Sequence, residues 1–158
     1  MSQLHDPQVR AALDAVEARY VARIQAVLER LAAAFRHAGL TTAGPAELAI
    51  DGSPSWSIVA RVPRAKGERQ TIDVIFEIAC AAEYGGEPAD GLNFGLRTNL
   101  WGGQPLITLE PFNFTPAVWV SARDAAAVEA RFRLVEGVEA GAFVADARAE
   151  AARLLARR

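Results

Sequence analysis

Asp73 and Glu77 are the two side chains best placed to do chemistry together. They sit within residues 71–84, TIDVIFEIACAAEY, where every second residue (Ile72, Val74, Phe76, Ile78, Cys80, Ala82 and Tyr84) is apolar. Alternation over that length predicts a strand with one face in a core. The two carboxylates then share the other face with Thr71, Ile75, Ala79 and Glu83. Acid–base hydrolysis of a glycosidic bond needs carboxylates roughly 5 to 9.5 Å apart. Four strand residues at about 3.3 Å each separate these backbones by about 13 Å. Cross-strand ion pairs suit them better, Asp73 with Arg61 and Glu77 diagonally with Arg97, each contributing a few tenths to about 1 kcal/mol.

Other chemistry has less to work with. Asp51 followed by Glu77-Ile78-Ala79 on a later strand is similar to the order of the restriction-nuclease core, but Ala79 stands where that pattern has the lysine that positions water. His5 and His37 flank opposite ends of the first predicted helix, so they form no metal-binding pair and no nucleophile–base partnership. Cys80 is the one cysteine and lies on the apolar side of the strand, where it reads as a small core residue. Gly85-Gly86 and Gly102-Gly103 are turn glycines, outside any phosphate-cradling fingerprint. No metal and no cofactor are expected. Arg61, Arg64, Lys66 and Arg69 cluster around one hairpin and read as a solvated end.

At 158 residues, with 51% hydrophobic and 23% charged residues, the chain reads as one α+β domain over residues 1–158. A net charge of −2 supplies no positive field for nucleic acid or an anionic membrane. No apolar run approaches the roughly 18 residues a spanning helix needs, so the cytoplasm is the expected compartment.

The elements follow from periodicity and punctuation. Leu13, Val16, Tyr20, Ile24, Val27, Leu31 and Phe35 form a helical stripe, capped before by Asp6-Pro7 and closed after by Gly39, which predicts a helix over 7–38. Residues 40–45 read as a loop and 47–51 as at most a short element. An antiparallel meander of four or five strands comes next, centred on 56–62, 71–84, 92–100 and 106–110, with 117–120 as the short fifth. A helix starting at Ser121 and another over 139–157 complete the fold class: a long N-terminal helix, a meander, and two C-terminal helices packed on the sheet. One face of so narrow a sheet seats about two helices, so the third should find another surface, and a helix of about 48 Å should overhang or bend.

A loop centred on Gly67 predicts that Arg61 faces Asp73, Val59 faces Ile75 and Ser57 faces Glu77. Pairing Tyr84 with Leu92 sets Ile75 opposite Trp101 and Glu77 opposite Asn99. Val59, Ile75 and Trp101, with Leu106 nearby, then form an apolar band on the outer face that needs covering. Trp101, Phe112, Phe114 and Trp119 fall within nineteen residues broken by glycine and proline. Phe112 and Trp119 read as core and Trp101 as a contact residue. The predicted partner-binding set is therefore Val59, Ile75, Arg97, Asn99, Trp101 and Leu106. The expected function is a protein-binding module, homodimeric or bound to another protein, with the build of small bacterial adaptors, secretion chaperones and immunity proteins. The other reading is a small-ligand or hydrolytic protein with a pocket between sheet and helices, lined by Trp101, Asn99, Arg97 and Glu77.

Overall fold

Apolar residues spaced by three and four lie on one side of a helix. In the computed structural model, which describes residues 7–50, 53–62, 70–100, 104–108 and 119–156, that stripe is the buried side of α1 (Pro7–His37), running from Val9 to Phe35. Gly39 closes the helix at φ 90°, a left-handed conformation that a β-carbon disfavours. The Leu40 N–H then donates to the Phe35 carbonyl at 3.0 Å.

Five strands follow: β1 (Thr41–Ile50), β2 (Ser53–Val62), β3 (Gln70–Cys80), β4 (Gly91–Leu100) and β5 (Gln104–Thr108). They pair antiparallel in chain order, and a two-residue β6 (Val120–Ser121) pairs with the start of β4. Two helices, α2 (Ala125–Glu136) and α3 (Ala140–Leu155), complete the α+β arrangement.

The segment read as a loop is β1. Gly44-Pro45 looks like a turn, but β1 is an edge strand, and a β-bulge between Ala43 and Ala46 absorbs both residues. A proline there lacks only an N–H that an edge can do without. Gly44 has φ 96°, and a β-carbon on it would lie 2.6 Å from the Ser57 carbonyl oxygen. Gly44→Ala is therefore expected to cost about 1–3 kcal/mol in urea unfolding; an unchanged midpoint would mean that the bulge relaxes.

The strand read over 71–84 ends at Cys80, and residues Ala81–Tyr84 wind into a 3₁₀ turn. Its closure is local: the Gly86 N–H donates to the Ala81 carbonyl at 2.9 Å, and Gly85 takes φ 69°. Ser121 does not start α2. It belongs to β6, where its hydroxyl donates to Asp90 at 2.9 Å, and Asp124 caps the helix by accepting the Ala127 N–H at 3.1 Å.

All three helices share one core with the inner sheet face, so the expectation that the third would need another surface does not hold. The reason is length. α2 and α3, of twelve and sixteen residues, together span about 42 Å at 1.5 Å per residue, against about 47 Å for α1. They follow one another along α1 and behave as one broken second helix. Ala122, Ala125 and Val128 face Val16 and Tyr20, in the first half of α1, across a small gap, and Arg148 and Ala151 face Leu40, beyond its far end, across another.

Arginines on α1 hold the joint. Arg30 Nη2 donates to the carbonyls of Glu136 at 2.8 Å and Val138 at 3.2 Å. Arg23 pairs with Glu129 at 2.8 Å and with both oxygens of Glu136. Those bonds raise the Arg23 pKa, and Arg23 lowers that of Glu129. The expected overhang is absent, because the buried stripe of α1 extends over nearly its whole length.

Aromatic rings fill the core centre. Phe132 of α2 stands edge-on to Phe94 at 5.9 Å, with Tyr20 at 4.7 Å and Phe76 at 5.9 Å. The Arg23 guanidinium lies over Phe132 at 4.8 Å. Trp56, Ile58, Ile72, Val74 and Leu96 extend this layer along the sheet.

Candidate functional site

With the helices on one side, the other side of the sheet collects the residues expected to carry function. Strand alternation sends Ser55, Ser57, Val59 and Arg61 outward from β2, Thr71, Asp73, Ile75 and Glu77 from β3, and Asn93, Arg97 and Asn99 from β4. The predicted sidedness holds; the predicted pairing does not. Val59 faces Asp73, Ser57 faces Ile75, Ser55 faces Glu77 and Arg61 faces Thr71, a slide of two residues. Between β3 and β4 the slide is four: Ile75 faces Arg97, Glu77 faces Gly95 and Asp73 faces Asn99. The first is the register in which Val62 pairs with Gln70, and the second follows from β3 stopping at Cys80, so that Cys80 rather than Tyr84 pairs with Leu92.

An even slide keeps every side chain on its face and changes its neighbours. The apolar band across three strands is therefore broken. Val59 lies beside Asp73, and Ile75 lies between Ser57 and Arg97. Leu106 is in β5, in a register that pairs its neighbours Pro105 and Ile107 with Asn99 and Thr98. Trp101 lies outside the described residues, as do Phe112, Phe114, His5, Asp51, Arg64, Lys66, Arg69 and the Gly102-Gly103 turn.

One predicted contact is present. Arg97 Nη2 lies 2.6 Å from Glu77 Oε1, reached diagonally, and the Glu77 side chain is only 4% exposed. The other is replaced. Arg61 sits opposite Thr71 and Thr41, exposed, while the Asp73 carboxylate accepts a hydrogen bond from the Thr71 hydroxyl at 3.2 Å. Asp73 and Glu77 are kept apart by the rung that carries Ile75, so this strand does not assemble a carboxylate dyad.

Burial pushes the Asp73 carboxyl above the usual carboxylate range, and the Thr71 bond opposes that push. A carboxyl raised by folding binds protons more readily in the folded chain, so stability falls as pH rises through its titration and is recovered as pH falls. Asp73→Asn removes that term. At neutral pH it is expected to raise stability by less than about 1 kcal/mol, a small gain because water screens a half-exposed group, and to flatten the pH dependence of the urea midpoint just above the ordinary carboxylate range. A clear destabilisation would show that the ionised carboxylate is used.

At the 3₁₀ end the outer face closes over. Trp119 packs on Ala79 and Ala81 as a small second core, which matches its reading as a core residue. Two glycines make room: a β-carbon on Gly86 would lie 2.4 Å from Trp119 Nε1, and one on Gly91 would lie 3.0 Å from the Trp119 β-carbon. Asn93 is fully buried here and accepts from Arg131 of α2 at 2.5 Å. Arg131, whose pKa burial lowers, is the site contact that sequence reasoning missed. No local signal marked it, since α2 meets the sheet only in the folded chain. Ser55, Glu77 and Asn93 make this half of the face polar inside, whereas Val59, Asp73 and Asn99 at the hairpin half stay partly open.

The pocket expected between sheet and helices is not built from Glu77, Arg97 and Asn99, because all three point away from the helices. A cavity of about 330 Å³ does lie on the helix side, lined by Leu40, Val62, Ile72, Arg148, Ala151 and Ala152. Cys80 is buried, its thiol 3.6 Å from the Ala89 carbonyl. Among the described residues, no three His, Cys, Asp or Glu side chains gather as a metal site requires, and no helix is long and apolar enough to cross a membrane. No family model, curated protein or solved structure matches the chain.

Proposed function

We propose that the chain is a protein-binding module rather than an enzyme, working in the cytoplasm, and that the outer sheet face docks a second copy of itself. The observation that carries this reading is the placement of all three helices on one face. That leaves the hairpin half of the opposite face carrying Val59, Asp73 and Asn99 half-exposed around buried Ile75 and the Glu77–Arg97 pair. A mixed surface with an apolar centre, an arginine and polar edges has the make-up of a docking patch. A face used twice across a two-fold axis must complement itself, and Asp73 on β3 with Arg61 on β2 puts both signs of charge on this face.

Sedimentation equilibrium from micromolar to hundred-micromolar concentration tests the reading. The expected result is a species of twice the chain mass that Val59→Arg converts to monomer, with an unchanged circular dichroism spectrum. A single-chain mass across the whole range would overturn the homodimer.

A further inference from the structure

The cavity on the helix side carries an inference independent of the docking face. α3 rests on α1 and β5 and stands off the adjoining ends of β2 and β3, leaving the gap of about 330 Å³. Its walls come from three directions: Leu40 after α1, Val62 and Ile72 from the sheet, and Arg148, Ala151 and Ala152 from α3. Leu40, Ile72 and Ala151 belong to the buried core, so the inner wall is apolar. Alanine at 151 and 152, where a leucine would close the gap, keeps it open. The volume lies at the lower end of the range for small-molecule sites.

Among the described residues Arg148 is the one charged side chain on that wall, and it differs from most of the arginines described. Arg10, Arg23, Arg97, Arg123 and Arg153 each face a carboxylate, whereas Arg148 makes no hydrogen bond, ion pair or ring contact among the described residues. The acidic residues of α3 do not neutralise it. Glu150 is engaged by Arg153 at 2.6 Å, and Asp146, two residues back, projects from another side of the helix. An apolar recess with one uncommitted guanidinium at its rim complements a short hydrocarbon chain ending in an anion.

We propose that this cavity binds a small apolar carboxylate, its chain against Leu40, Ile72 and Ala151 and its carboxylate on Arg148. Octanoate is the probe and 1-octanol its uncharged counterpart, each titrated into the isotope-labelled full chain and followed by amide shifts. The expected result is saturable, submillimolar octanoate binding that moves the amides of Ile72, Ala151 and Ala152. Arg148→Gln should weaken octanoate about fivefold, the contribution of one exposed ion pair, and leave octanol unchanged. Ala152→Leu, at an exposed helix position that tolerates it, should abolish both while the circular dichroism spectrum stays the same. Three results would overturn the proposal: no saturation by millimolar octanoate, binding indifferent to Ala152→Leu, or octanol binding as tightly as octanoate in a chain where Arg148→Gln has no effect.

Discussion

Arg97→Ala is expected to lower the folding free energy by about 3 kcal/mol at neutral pH, because it withdraws the guanidinium 2.6 Å from a carboxylate that is 4% exposed. The size comes from burial. An exposed pair contributes well under 1 kcal/mol, but a carboxylate held out of water loses stability when its counter-charge is taken away. The deficit should also depend on pH in a stated direction. The deficit comes from an ionised carboxylate left buried without its counter-charge, so the gap to the parent chain narrows as acid neutralises that carboxylate. Replacing both partners by apolar residues, Glu77→Leu with Arg97→Met, should recover most of the loss. Urea midpoints at pH 7 and pH 4.5 are the measurement; a deficit under about 1 kcal/mol, equal at both values, would show that the pair is held in effective contact with water.

Phe132→Ala should cost about 3–5 kcal/mol. Phe132 is fully buried, meets Tyr20, Phe76 and Phe94, and lies under the Arg23 guanidinium. With Val128 and Val135 it makes up the whole buried side of α2. Truncation therefore opens a cavity and loosens the attachment of a twelve-residue helix together. In a chain of this size that corresponds to a fall in melting temperature of about 10 °C or more. Phe132→Leu, which keeps more of the volume, should cost less than half as much. A melting temperature unchanged by the alanine would mean that α2 is not anchored through this ring.

The contrast between these sites and the sequence lies in what periodicity can carry. The stripe of α1, the alternation of β3 and the closing Gly39 are local patterns; the helix and its stop formed where their patterns placed them, and β3 did so as far as Cys80. β1 was hidden because Gly44-Pro45 signals a turn, and only its place at the sheet edge makes a strand tolerable there. The face of each outward residue was legible, since parity survives any even slide, but the lateral neighbours of Val59 and Ile75 depended on where the turns begin. Residues 81–84 continue the alternation yet coil into a 3₁₀ turn, a choice made by Gly85 and Gly86 rather than by hydrophobicity. Arg131 on Asn93 and the gap beside Arg148 arise from how α2 and α3 lie along α1, which no segment of the chain encodes alone.

The kink at Ala43–Ala46 also governs how molecules of this protein can approach one another. An outermost strand of ten residues would ordinarily offer a continuous rail of free amides and carbonyls, onto which a neighbour could zip and propagate into fibres. Here the rail is cut into two short pieces on either side of a proline that has no hydrogen to give. Lateral growth along that margin is thereby discouraged, and the strand that closes the sheet on this side gives a neighbour no long run of amides to pair with.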